Sequence, residues 1–231
     1  MKKLLTTVLL SSIFAGARSQ VYVQGGVNLA NITKTKSGET QDNNLLTTFN
    51  AGLLGRFNLS TTVDLESGLL LEGRGAKANS YFTGSTDDNY IKTKFNPLYL
   101  EVPMNVILRI PLEKKTNIFF NAGPYAAVGI GGKSKTESKF LGSTSTSSNN
   151  IKFSNDDPFT SDQDDAAYNK LKRFDFGLNF GGGLDLGKVL LKFNYGVGLT
   201  KVNSTQSNNS DDDKNKYRTV SFSLGIPLNR G

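Results

Sequence analysis

The chain has 231 residues, with 27 Lys and Arg against 20 Asp and Glu, and it contains no His, Cys or Trp. The length suits one large domain or two small ones, enough for a sizeable core or a closed barrel. The missing residue types exclude Ser–His and Cys–His catalysis, His-ligated zinc or haem, disulfides and iron–sulfur clusters. Twenty-four Gly with only six Pro, spread through apolar runs, is glycine use foreign to helices. The composition points to an all-β chain with no enzyme chemistry.

Residues 1–19 read as a secretory signal peptide. Met1-Lys2-Lys3 is a basic start, Leu4 to Ala15 an apolar run, and Ala17-Arg18-Ser19 a small-x-small cleavage site, leaving 20–231 as the mature domain. The run is shorter than the roughly 20 residues of a spanning helix. Losing Lys2, Lys3 and Arg18 lowers the formal charge from +7 to +4, so no nucleic-acid partner is expected.

Eight segments of the mature chain alternate with period two. The first, Val21 to Ile32, alternates loosely. The second sets Phe49, Ala51, Leu53 and Phe57 against Asn50, Gly52 and Arg56. In the third, Val63, Leu65, Leu69 and Leu71 oppose Asp64, Glu66, Gly68 and Glu72. The fourth opposes Leu98 through Ile110 to Tyr99, Glu101, Asn105 and Arg109. The fifth, Ile118 to Ile130, is loose again. The sixth opposes Phe174, Phe176, Leu178 and Phe180 to Asp175, Gly177, Asn179 and Asp185. In the seventh, Leu191, Phe193 and Tyr195 oppose Lys188, Lys192 and Asn194; the eighth, Arg218 to Leu228, is loose.

Connections alternate in length. Thr33–Thr47, Gly75–Lys94, Lys133–Lys170 and Asn203–Lys216 are long, while Ser60–Thr62, Pro111–Thr116 and Leu186-Gly187 are short. An even strand number with short turns on one rim is the layout of an outer-membrane barrel. The expectation is an eight-stranded antiparallel up-and-down transmembrane β-barrel, its apolar face to lipid. A soluble lipocalin-like calyx, with the apolar set inside around a ligand, is the alternative fold. A polar face rich in Gly and charge fits a narrow lumen better. Arg56, Asp64, Glu66, Glu72, Arg74, Glu101, Asn105, Arg109, Asp175, Asn179, Asp185, Lys188 and Lys192 are its expected lining. Across the first short turn Arg56 should face Glu66, and at Leu186-Gly187 Asp185 should meet Lys188.

The loops read as low-complexity and mobile, above all Gly142 to Asn150 (GSTSTSSNN). Ser161 to Asp164 could cap a short helix ending near Lys170 and Lys172. The acidic groups Asp156, Asp157, Asp162, Asp164, Asp165 and Asp211–Asp213 lack the spacing of a preorganised calcium loop, and transient ion bridging to lipopolysaccharide is the most they suggest. Gly182–Lys188 (GGLDLGK) and Ala127–Ser134 (AVGIGGKS) approach a phosphate-binding loop, but each runs from strand into turn with no helix to follow. Neither a cofactor nor a metal is expected. Pro103 and Pro124 fall inside strands, where bulges are expected.

Tyr99–Pro103 (YLEVP), Phe120–Gly129 (FNAGPYAAVG), Phe174–Leu186 (FDFGLNFGGGLDL) and Ser223–Leu228 (SLGIPL) make the mature chain resemble the PorT-like outer-membrane β-barrel family of Bacteroidetes. The resemblance implies a small barrel in the cell outer membrane, in some members tied to a protein-secretion system. The terminal aromatic of many outer-membrane proteins is missing, the chain ending Asn229-Arg230-Gly231. Outer-membrane lipid and lipopolysaccharide, with a secretion-machinery or surface protein, are the expected partners. The functional expectation is a non-enzymatic surface-contact or secretion-associated barrel. A small passive pore is the alternative, beside the ligand-binding calyx.

Overall fold

Long runs of alternating side chains, rich in Val, Leu, Phe and Tyr and free of helix caps, leave the backbone to pair between strands. The computed structural model describes residues 19–36, 39–42, 45–82, 89–112, 116–154, 170–202 and 215–228. Eight strands form its wall: β1 (Ser19–Lys36), β2 (Leu46–Asn58), β3 (Val63–Gly73), β4 (Tyr90–Pro111), β5 (Asn117–Phe140), β6 (Phe174–Asp185), β7 (Leu190–Gly198) and β8 (Lys216–Pro227). Each pairs antiparallel with its successor, and β8 returns to β1 with Leu29 opposite Val220. The ring is closed, so no edge is left along the wall.

The apolar face points outward. On β4, Val102, Met104, Val106, Leu108 and Ile110 are each 40–54% exposed, whereas Glu66 and Glu101 are 0% and 2% exposed. No folded soluble chain exposes whole strands of large aliphatic residues while burying carboxylates. The calyx arrangement is thereby overturned: the lipid-facing set is the apolar one, and the polar set fills the interior.

Two of the three short hairpins sit on fully described turns. Leu59 and Ser60 donate their amides to the Val63 carbonyl at 2.9 and 3.0 Å. Leu186 donates to the Val189 carbonyl at 3.0 Å around Gly187-Lys188. Gly187 has φ 77°, a first-corner conformation that glycine adopts without steric cost. In the third, Leu112 donates to the Thr116 carbonyl.

The opposite rim departs from expectation. Its long connections are not bare loops but carry the wall strands onward. Beyond the ring, Tyr90–Phe95 of β4 pairs with Ala76–Tyr81, and Lys133–Phe140 of β5 pairs with Ser143–Asn150, so four strands project as one sheet. The Ser/Thr tract read as mobile is therefore a strand, exposed at every residue. Low apolar content keeps it from burying a core, but the free edge of β5 supplies its backbone partners. Lys170–Lys172 pairs in parallel with Lys152–Ser154, so these lysines do not end a helix. The capping sequence before them and the acidic groups of the third and fourth long connections lie outside the described residues, as does the leader at 1–18.

Pro103 and Pro124 cause no register shift. Their missing amides fall in neighbouring seams: the β4–β5 ladder lapses between Pro103↔Tyr125 and Val106↔Ala122, at Pro124, and the β3–β4 ladder between Ser67↔Met104 and Leu70↔Glu101, at Pro103. The register shift falls between Leu98 and Tyr99, opposite Gly129–Gly131.

Candidate functional site: the filled lumen and its long-connection mouth

Every second residue of each strand points into a ring of eight strands, a width that side chains can fill. Glu66 on β3 is the hub of the half nearer the short turns. Its carboxylate accepts from Arg56 Nε at 3.0 Å, Tyr22 Oη at 2.6 Å, Asn105 Nδ2 at 3.1 Å and Lys192 Nζ. These donors come from β2, β1, β4 and β7, so one side chain ties together distant parts of the wall. Arg56 also lies 4.3 Å from the centre of the Phe119 ring and 3.7 Å from Asp185. Tyr22, Leu54, Leu70, Ile107, Phe119 and Leu190 pack around this layer as an inner apolar cluster.

A second layer forms on Arg74, just beyond β3. Its guanidinium contacts Glu101, donates to Asp175 at 2.5 Å and to Glu72 at 3.2 Å, and lies over Tyr125 at 4.6 Å. Tyr125 Oη donates to Asp175 at 2.9 Å and Asn179 Nδ2 to Glu101 at 2.9 Å, while Thr200 reaches Asp175 from beyond β7. The Tyr125 ring lies against the wall at Gly177, where a Cβ would sit 2.4 Å from it. Nearest the short turns, Asp64 pairs with Arg109 at 2.8 Å and accepts from Asn58.

Twelve of the thirteen expected lining residues thus face inward, Arg109 at the rim with 23% of its side chain exposed. Arg56 is opposite Glu66 as the hairpin register required. Lys188 is a correction: it is exposed at the corner of the two-residue turn. Asp185 pairs with Leu190 in register, and its carboxylate caps the Gly187 amide at 2.9 Å and approaches Arg56. The turn takes Gly187-Lys188 as its two corners, one residue later than the sequence suggests, which moves Lys188 out of the ladder.

The sequence reading missed the inward apolar residues and the lining of β1, β5 and β8, including Gln24, Asn28, Asn121, Tyr125, Tyr217 and Ser221. Position parity was the available signal, since Leu54 and Leu70 share the parity of Arg56 and Glu66. It also missed the closure of the long-loop mouth. Tyr99, Tyr125, Tyr217, Ile32, Ala76, Leu171 and Val202 form a buried cluster there, against which Phe153 and Phe95 pack. Phe153 meets Tyr99 edge-on at 5.6 Å. The third long connection therefore supplies part of a lid, although its Ser/Thr tract stays outside.

Between the Arg74 layer and β8 remains a polar cavity of about 10 Å³, room for a single water. Among the described residues no acidic group is arranged to hold a metal ion. An exterior of lipid-facing aliphatics around an interior that the described residues fill with paired charges defines an integral membrane barrel, and not a ligand calyx. In sequence, residues 11–204 match the family described as outer membrane protein beta-barrel domain, and the chain belongs to that family. It is an outer-membrane protein.

No curated protein matches the chain. Among solved structures it is similar to Ail, the attachment invasion locus protein of Yersinia pestis, with 14% identity and TM-score 0.39 over 91% of this chain and 99% of that one. Neisserial surface protein A follows with 10% identity and TM-score 0.41 over 90% and 97%. The translocator domain of the autotransporter NalP from Neisseria meningitidis shows 11% identity and TM-score 0.28 over 96% and 94%.

Proposed function

We propose that the protein is a non-enzymatic, non-conducting outer-membrane barrel of the PorT-like kind found in Bacteroidetes. Exported through the cleaved leader at 1–19, it stands with its long connections outside and its short turns in the periplasm. Outer-membrane lipid and lipopolysaccharide surround it, and its rim makes contact with a surface or secretion-machinery protein. The observation that carries this reading is the sealed interior. A wall that spends six carboxylates and four cations on crossing the lumen leaves no aqueous path, so the parts free to meet partners are the rims. The same filling argues against a passive pore.

The test has two arms. Planar-bilayer recording of the purified barrel should give no steady conductance; large, stable openings would overturn the sealed reading. A deletion strain should release less of the proteins that bear a C-terminal export signal. Unchanged secretion would remove the secretion role and leave surface contact.

A further inference from the structure

The projecting four-stranded sheet has two faces of different chemistry. Phe95 packs inward against the mouth cluster, so the alternate positions of β4, Lys94 and Lys92, continue the lipid-facing row that runs from Ile110 to Leu98. The register shift beside Tyr99 brings Lys133, Lys135 and Lys139 of β5 onto that same face, opposite Asn96, Lys94 and Tyr90. Lys77 joins from the neighbouring strand, directly opposite Lys94. Six lysines thus share one face, and Glu137 is its sole acid among the described residues, already accepting from Tyr90 Oη at 2.8 Å.

Two facts single this face out. Lys77, Lys94 and Lys135 form an unbroken cross-strand row of like charge, a pairing that weakens a sheet unless an anion bridges it. The row also stands at a defined height. Lys94 is four residues past Leu98, roughly 13 Å along the strand and about 10 Å along the membrane normal at ordinary barrel tilt. That is the headgroup layer, immediately above the apolar band. The opposite face carries Thr93, Ser134, Thr136 and Ser138 and no lysine, so the charge is directed to the lipid side.

We propose that the row Lys77–Lys94–Lys135, with Lys92 and Lys133 beside it, binds the phosphate groups of lipopolysaccharide in the leaflet around the barrel. This rests on the orientation given above, with the long connections outside, since lipopolysaccharide occupies the outer leaflet. The lysines act as point charges on flexible stems, suited to a ring of phosphates and not to one fixed ligand.

The full chain, refolded in uncharged detergent, is titrated with lipopolysaccharide and with the same material after removal of its phosphates. Binding is expected only to the phosphorylated form and should weaken as salt rises. The triple variant K77Q/K94Q/K135Q should bind about a hundredfold more weakly, at about fivefold per lysine near a charged surface. K94Q alone should show about the fivefold step, and K188Q at the opposite rim should match the parent. Removing like charges from the row should leave folding intact, which a circular-dichroism spectrum verifies. A folded triple variant that binds as the parent does would overturn the proposal. So would equal binding of the dephosphorylated lipid, or equal binding of phosphatidylglycerol micelles. Orientation is read separately, from labelling of S147C on intact cells by an impermeant reagent. Failure there sinks the reading of which rim is outside, whatever the lipid titration gives.

Discussion

Replacing Glu66 by Gln is the sharpest perturbation of the lumen, because it keeps the volume and removes only the charge. Arg56 and Lys192, whose side chains are 3% and 4% exposed, would then face each other across a neutral amide. Arg56 retains Asp185 at 3.7 Å, but Lys192 loses the carboxylate that holds its ammonium. Stranding one buried charge costs about 3–5 kcal/mol. With two cations brought together, the upper half of that range is expected, about 4–5 kcal/mol. At an m-value near 2 kcal/mol/M, the urea midpoint of the barrel in detergent or lipid vesicles should fall by about 2 M. Loss of the folded, heat-resistant band on unboiled gels gives an independent reading. The double variant E66Q/K192M removes the stranded ammonium as well, so it should lose less than the sum of the single changes, with a coupling of about 2 kcal/mol. A midpoint for E66Q within 0.5 M of the parent would refute the reasoning, since the network would then be hydrated and screened.

On the lipid face, Val106→Arg should destabilise the barrel in vesicles by about 2–4 kcal/mol if this residue lies near the bilayer midplane. The same substitution should be far milder in detergent, where the charge reaches water. Cysteine at position 106 should react with a lipid-soluble probe and cysteine at 105 should not; the reverse pattern would mean an inverted wall. Deleting 142–150 should leave assembly and heat resistance unchanged, because all eight residues of the Ser143–Asn150 strand are exposed and none of the lumen network touches them. Loss of folding in that variant would show that the strand holds β5 in place. Gly177→Val should prevent closure or cost several kcal/mol, since its side chain would meet the Tyr125 ring and the Val197 carbonyl within 2.4 Å; an unchanged midpoint would show that the ring can move away.

Where a strand is buried on one face by lipid and on the other by charge, its sequence has no freedom to blur the alternation. That is why the polar lining of the second, third, fourth, sixth and seventh strands was legible, Lys188 apart, down to Arg56 facing Glu66. The inner face also accepts apolar side chains, such as Leu54, Ile107 and Phe119, because packing around a guanidinium or beneath an ion pair is as favourable there as lipid contact is outside. Such residues erase the polar half of the pattern, and β1 and β5, with Ala30 and Phe119 inward, read as loose. Turn chemistry misled at Lys188 because Leu186-Gly187 looks like the corner while the backbone places Gly187-Lys188 there. The projecting sheet was invisible for a different reason. Ser143–Asn150 is held by backbone pairing with a neighbour, and a side-chain pattern carries no record of an available edge.

The seam between β1 and β8 joins residues almost the whole chain apart, with Tyr22 opposite Pro227 and Thr33 opposite Lys216. In water such a closure would cost only the slowly growing entropy of a long loop. In lipid the balance differs, because any strand edge left open exposes amides and carbonyls that no solvent satisfies, at several kcal/mol for each group. A partial sheet of six or seven strands is therefore not a metastable stopping point within the bilayer. The wall must be held curled by other means until β8 pairs with β1, so closure of that seam is the step on which burial of this wall in lipid depends.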